Sequence, residues 1–387
     1  MKKIIYVFLV VILLPLLLFL IYLKVDVNAK IKKNNLINET YKYLEKYYYK
    51  NLDTNSLLTN LLSGLNNKYV GYLESGNKKY NHEYRLGFYF HYDYERFVFT
   101  VDFVIKNSEA YKKGIKPNDM IIEIDNNKII DIGPYKAVKL LDSKEIVELT
   151  IIRKELDTPR KIILNKKYNT IPTAVFTKFN FNEENIGYIK INYFEQGNTV
   201  KEVSNILQEI TLKKVKYLII DLRYNLGGDF DEGLKVLSYF TDKKILGKII
   251  YKNQSKIIYR ESIPFFNNLN NIKKIILVNK FTVSTAEFFT QFFKENKLAT
   301  VVGEKTYGKS ELIGYFNLEN GGTVFFPIGY FVSEKGKNIS KTGIYPDIYV
   351  DDPNFGIFLD SKNLENDTVI KKALDFIFEY EKNKQYF

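Results

Sequence analysis

Two short apolar runs set the architecture available to this chain. Residues 215–222 form a nearly continuous hydrophobic segment running through Asp221-Leu-Arg223, and residues 272–278 form a second one. Both are shorter than an ordinary helix and rich in Ile, Leu and Val, so both read as buried strands. Helical periodicity occupies 200–210, 234–240 and 285–294, and strand-like segments recur at 186–194 and 300–302. Strands alternating with helices predict an α/β body beginning near Thr173, a sheet under helical cover. The segments 314–316 and 323–332 add strands with no helix between them, and 369–380 reads as an amphipathic terminal helix.

Upstream, residues 83–154 form a different unit. Strands are expected at 86–90, 97–103, 120–124 and 146–152, with short helices at 108–113 and 134–141. Gly114-Ile-Lys-Pro-Asn-Asp119 supplies a turn and Asn126-Asn127 a hairpin turn, which makes a small β-rich domain with two helices. Residues 36–65 carry two short helices interrupted at Asn51-Leu-Asp-Thr-Asn55; they are expected to pack on the main body or to mediate self-association into a homo-oligomer.

The N-terminus reads as a membrane segment. Lys2-Lys3 precede the uncharged run from Ile4 to Leu23, whose twenty residues match a bilayer core of about 30 Å. An uncleaved anchor displaying the body outside the cytoplasm is the expectation, although Lys24, Lys30, Lys32 and Lys33 oppose that orientation. Val27-Asn-Ala29 offers small residues for cleavage, which would give a secreted protein. The expected division is 1–29 anchor or signal, 30–82 helical region, 83–155 β-rich domain, 173–355 α/β core and 356–387 C-terminal helical extension.

Composition narrows the chemistry. The chain has no cysteine, which excludes disulfides, a thiolate nucleophile and zinc–thiolate sites. A formal charge of +12 is spread along the sequence without a basic stripe interleaved with aromatics, so no nucleic-acid partner is expected. Only His82 and His91 are present, and paired acids for metal or glycoside chemistry find no support; neither metal nor cofactor is expected.

What remains is serine and lysine. Ser284-Thr-Ala-Glu287 stands at a helix start, and Gly303-Glu-Lys-Thr-Tyr-Gly-Lys309 follows one helix and one strand later. A serine hydroxyl becomes nucleophilic when a nearby base takes its proton, and a desolvated lysine can be that base. Ser284-x-x-Glu287 equally fits a capping box, in which the serine satisfies helix donors. The two roles overlap, because the orphan amides at a helix start, that of Thr285 first, can hold an oxyanion. Asn225-Leu-Gly227-Gly228, after the strand ending at Asp221, is either a tight turn or a loop presenting amides to negative charge. Asp221 and Arg223 are expected to hold that loop by ion pairing. Arg85-Leu-Gly-Phe88 opens a strand where amides around Gly87 could take a peptide carboxylate.

Taken in order, these segments resemble the C-terminal processing peptidase family, Ser–Lys serine endopeptidases carrying a PDZ domain. Phe281-Thr-Val-Ser-Thr-Ala-Glu287 is similar to the family's Ser-Ala-Ser-Ala-Ser-Glu, Val302-Gly-Glu-Lys-Thr-Tyr-Gly-Lys309 to its Gly-Glu-x-Thr-Phe-Gly-Lys, Asp221–Gly228 to its Asp-Leu-Arg-x-Asn-x-Gly-Gly, and Gly343-Ile-Tyr-Pro-Asp347 to its Gly-x-x-Pro-Asp. The region 85–154 resembles the family's PDZ domain. The resemblance implies hydrolysis near protein C-termini through an acyl-enzyme. Ser284 would be nucleophile, Lys309 general base, and backbone amides near Gly227, Gly228 and Thr285 the oxyanion hole. Leu86, Gly87 and Phe88 would bind peptide, and the partners would be proteins or peptides with accessible C-termini. Ile313 stands where the family often has a glutamine that steadies the lysine, so that task passes to Glu311 or a backbone carbonyl. The alternatives are a catalytically inactive, membrane-anchored peptide-binding protein of the same fold and an envelope assembly protein.

Overall fold

The computed structural model describes residues 37–384 except 48–52, 66, 68, 74–85, 94, 106–107, 154–157, 167–171, 182, 214, 353–363 and 365–366. The segment expected to meet the membrane, 4–23, lies outside the described residues. No described helix is long and apolar enough to cross a bilayer.

The chain divides into two compact units. Of the described residues, the smaller takes in those from 37 to 73 together with 315–326. Its described helices span 37–47 and Thr54–Ser63, the latter capped by Asp53, whose carboxylate accepts from Asn55 N–H at 3.1 Å. Strand Gly71–Leu73 pairs antiparallel with Phe325, Val324 and Thr323. Tyr315 stacks on Phe325 and Phe316 on Phe326, with ring centroids 5.9 and 4.7 Å apart.

The larger unit holds the remainder, and its centre is a six-stranded sheet in the order Ile348–Tyr349, Thr300–Gly303, Lys273–Val278, Tyr217–Asp221, Glu184–Ile191, Ala174–Phe181. The first five strands are parallel, and the last pairs antiparallel in a hairpin. Parallel strands are covered on both faces, which is why 217–220 and 275–278 read as unbroken hydrophobic runs. Their side chains still alternate. Leu218, Ile220, Ile276 and Val278 join helices Thr199–Leu212, Phe230–Ser238 and Thr285–Glu295 in one core. Tyr217, Ile219, Ile275 and Leu277 join Val369, Ile370, Ala373 and Leu374 of the C-terminal helix Thr368–Lys384 in another.

Strands Ile245–Tyr251 and Ser255–Tyr259, for which the sequence suggested no element, extend Thr323–Ser333 into a second sheet. The small domain is a further sheet, ordered Phe88–Asp93, Val98–Val104, Met120–Ile124, Ile146–Ile152, Arg160–Asn165. Its helix Ile129–Ser143 begins earlier than the expected 134, because a kink at Gly133 (φ 76°) joins two helical pieces.

A buried ionic cluster fixes the C-terminal helix to the sheet. Arg223 bonds Asp221 (Nη2 to Oδ2, 2.7 Å) and, 144 residues on, Asp367 (Nη2 to Oδ2, 2.9 Å; Nη1 to Oδ1, 3.2 Å). Asp367 in turn accepts the N–H groups of Val369 and Ile370 at the helix start. Tyr188 O–H donates to Asp221 at 2.8 Å. Burial alone would raise the Asp221 pKa; Arg223, and then Lys190, reverse that and hold its carboxyl far below the usual range. Removing one partner from a buried ion cluster leaves an uncompensated charge. Asp367→Ala is therefore expected to cost about 3 kcal/mol of unfolding free energy, measured by urea denaturation. A midpoint equal to that of the parent chain would show that the helix is held by its apolar face alone.

Candidate active site

Strands Thr300–Gly303, Lys273–Val278 and Tyr217–Asp221 are neighbours and parallel, so the loops leaving their carboxyl ends emerge side by side. Those loops carry Lys309, Ser284 and Gly227-Gly228 in that order. Hydrogen bonds stitch the three together. Val283 N–H donates to Asn225 C=O at 2.9 Å, Tyr307 N–H to Thr282 C=O at 3.1 Å, and Thr282 Oγ1 to Leu222 C=O at 2.9 Å.

Ser284 occupies a strained corner, with φ 57° and ψ −119° immediately before helix Thr285–Glu295. This is the conformation of the first central residue in a type II′ turn, which costs a side-chain-bearing residue about 1–3 kcal/mol. Such a corner lifts the serine out of the strand-to-helix turn. The helix is capped through the serine main chain: Ser284 N–H donates to Glu287 Oε2 at 2.9 Å, and Glu287 N–H donates to Ser284 C=O at 2.8 Å.

Glu287 does more than cap. Its Oε2 also accepts Lys309 N–H at 2.8 Å, while Oε1 accepts Gly308 N–H at 2.7 Å and Thr306 O–H at 2.6 Å. Two bonds converging on one oxygen keep the Ser284 and Lys309 amide nitrogens no more than about 6 Å apart. Burial raises the Glu287 pKa, and the four donors work against that rise. Lys309 is half-buried and its Nζ donates to Glu311 C=O at 3.1 Å. The main-chain carbonyl thus takes the part for which Ile313 has no polar atom.

The glycine pair is explained by close approach. A Cβ on Gly227 would lie 2.9 Å from Ser284 Cβ and 3.0 Å from the Thr285 nitrogen; one on Gly228 would lie 2.2 Å from Phe194 C=O. Their φ values, 95° and 129°, add a second reason for glycine. Gly227 N–H donates to Asn225 Oδ1 at 2.8 Å. The Gly228 and Thr285 N–H groups have no acceptor among the described residues.

The small domain reaches this site through aromatic rings. Tyr89, Phe103 and Ile105 form one buried cluster with Tyr224, joined by Leu226 and Phe281. Phe103 lies 5.0 Å from Tyr224 and 5.3 Å from Phe281, ring to ring. Tyr224 stands three residues before Gly227, and Phe281 three before Ser284. In the same domain Leu86, Gly87 and Phe88 are buried, Gly87 C=O accepts from Ile105 N–H at 2.8 Å and Ser108 O–H at 3.1 Å, and strand Phe88–Asp93 lies at the edge of the described sheet. His91 pairs with Asp102 at 2.8 Å on that sheet. No group of three metal-ligating side chains occurs among the described residues.

Residues 185–350 match the model of peptidase family S41, and residues 78–152 match that of the PDZ domain. The S41 match falls on the α/β core, and the PDZ match on the small β-rich domain. A probable CtpA-like serine protease of Staphylococcus haemolyticus is 30% identical over 253 residues, which is 65% of this chain and 50% of that protein. The carboxy-terminal processing protease CtpA of Bacillus subtilis is 27% identical over 337 residues, covering 84% of this chain and 70% of that one. The match thus spans half the length of the first of these two proteins. The solved photosystem II D1 C-terminal processing protease shares the fold, with TM-score 0.62 over 80% of this chain and 86% of that chain at 22% identity.

The sequence pointed to Ser284, Lys309 and the glycines, but not to Thr306, Asn225 or the full role of Glu287. Glu287→Gln would set an amide N–H₂ against the N–H donors of Gly308 or Lys309, replacing attraction by repulsion. It is expected to cost about 2 kcal/mol of stability and to slow labelling of Ser284 by a fluorophosphonate about a hundredfold, read by urea denaturation and by gel fluorescence. Labelling at the parent rate would show that the bridge does not set the site.

Proposed function

We propose that this chain is an S41-family serine endopeptidase that cleaves peptide bonds near protein C-termini. The observation that carries the reading is the single Glu287 oxygen that accepts both the Ser284 and Lys309 amides. A neutral Lys309 amine takes the Ser284 hydroxyl proton as Oγ bonds to the scissile carbonyl carbon. The carbonyl oxygen, now an oxyanion, accepts from the Gly228 and Thr285 N–H groups, while Gly227, its own N–H engaged by Asn225, shapes the loop. The Lys309 ammonium returns its proton to the leaving nitrogen as the C–N bond breaks, leaving an acyl-enzyme. Water then attacks the ester carbonyl with Lys309 again as base, releasing a carboxylic acid and restoring the serine.

Substrate enters through the PDZ domain. A C-terminal segment adds as a strand to the edge of Phe88–Asp93, with its carboxylate at the amides around Gly87. The buried side chains of Leu86 and Phe88 hold that main chain in place. The apolar segment 4–23 places the catalytic body at the outer face of a membrane.

A fluorophosphonate probe is expected to label Ser284, not to label Ser284→Ala, and to label Lys309→Ala about a thousandfold more slowly. The parent rate should climb with pH about a midpoint below the ~10.4 of free lysine; no labelling of the folded parent would leave a silent peptide-binding protein. For the PDZ domain, a peptide with a free C-terminal carboxylate is expected to bind about tenfold more tightly than its C-terminal amide by fluorescence anisotropy. Equal affinities would remove the carboxylate from recognition.

A further inference from the structure

The base lysine is held by the first residue of the strand that follows it, Glu311–Asn317, and that strand is latched from a neighbouring loop. Lys309 Nζ donates to Glu311 C=O at 3.1 Å. Glu311 does not move freely, because its Oε1 accepts Ser340 O–H at 2.7 Å. Ser340 N–H donates to Asn338 Oδ1 at 2.8 Å, and the same oxygen accepts Ser310 O–H at 3.0 Å. Lys341 N–H donates to Gly308 C=O at 2.8 Å, and Phe331 N–H to Ser310 C=O at 3.0 Å. Every residue from Gly308 to Glu311 is therefore tied to Glu287 or to the 331–341 segment.

We infer that Ser340 is a positioning residue for Lys309, acting through the Glu311 carboxylate and main chain. The inference rests on the proposed role of Lys309 as base. An amine on a four-carbon stem has three N–H or lone-pair directions that rotate freely unless one is fixed. The Glu311 carbonyl fixes one, which leaves the lone pair of the neutral amine a restricted set of directions. A side-chain amide at position 313 would do this from outside the strand; here Ile313 is aliphatic, and the hydroxyl of Ser340 stabilises an internal acceptor instead. Two carboxylates bind this segment among the described contacts, Glu287 through main-chain amides and Glu311 through Ser340.

The sign of the pH effect separates this role from simple loosening. A carbonyl that accepts from an ammonium favours the charged form. Weakening that bond should shift the Lys309 midpoint to lower pH and yet slow the reaction, because a larger neutral fraction is badly aimed. Loosening that admits water would instead move the midpoint up, toward that of free lysine.

The test uses the full chain and a fluorophosphonate probe, with kinact and KI measured from pH 6 to 10. Ser340→Ala is expected to lower kinact about tenfold with KI unchanged and to move its pH midpoint down by a few tenths of a unit; Ser340→Thr, which keeps the hydroxyl, should stay within twofold of the parent. Glu311→Ala should reproduce Ser340→Ala and Glu311→Gln should not, which covers a poorly folded serine variant. Trace acetylation of Lys309 across the same pH range, in Ser284→Ala chains with and without Ser340→Ala, reads the amine without catalysis. A downward shift there supports the latch even if the parent never reacts with the probe, an outcome that would count against the protease reading alone. An unchanged or upward Lys309 midpoint in the Ser340→Ala chains overturns the inference.

Discussion

The site depends on a buried carboxylate. Glu287 is fully withdrawn from solvent, a costly place for a charge, and four donors converge on its two oxygens. Those donors come from the helix start and from the loop after strand Thr300–Gly303, so neutralising one group aligns two elements. The same bonds sustain the unfavourable dihedrals of Ser284, because its N–H is captured by the residue that anchors the lysine loop. An apolar side chain at 287 would leave these buried donors unpaired and the corner free to relax.

A second layer of support comes from parts of the chain remote in sequence. Asp221 and Arg223 begin the loop that presents Gly227 and Gly228, and Arg223 is gripped from the far side by Asp367 at the start of the C-terminal helix. One residue later Tyr224, itself at φ 61°, donates its hydroxyl to Asp352 at 3.0 Å and lays its ring against Phe281 and Phe103. The glycine loop is thus held by the C-terminal helix on its ionic side and by the PDZ domain on its aromatic side. Both contacts are buried, so neither is weakened much by salt or by competing water.

Legibility in the sequence followed the range of the interactions. The apolar runs at 215–222 and 272–278 announced interior strands because burial on both faces removes polar positions. Strand Ser255–Tyr259 buries only Ile258 and carries two polar residues, so nothing in its pattern distinguished it from a loop. Ser284, Lys309 and the glycine pair were found as ordered motifs, and the expected ion pairing of Asp221 with Arg223 is present because the partners are two residues apart. Asp367 could not be found, since it lies 144 residues from Arg223 and an isolated aspartate carries no signal. Glu287 was visible only as a capping residue: its spacing from Ser284 is local, whereas its bonds to Thr306, Gly308 and Lys309 exist only once two parallel strands lie side by side.

The glycine loop illustrates why the structural and chemical readings of a motif need not compete. A tight turn and a loop presenting amides were alternatives at the level of sequence, and the sterics of the turn are compatible with both. Gly228 must lack a side chain because Phe194 passes within 2.2 Å of where a Cβ would stand, and Gly227 because Ser284 and Thr285 do so at about 3 Å. Close packing of the loop on the helix start brings Gly227 against Ser284 and Thr285. Asn225 then matters twice, its Oδ1 taking the Gly227 N–H and its Nδ2 donating to Ile191 C=O at 2.9 Å, which pins the loop to the neighbouring strand. Asn225 takes the Gly227 N–H to build the turn, and the Gly228 N–H proposed for the oxyanion is the donor this side chain does not engage.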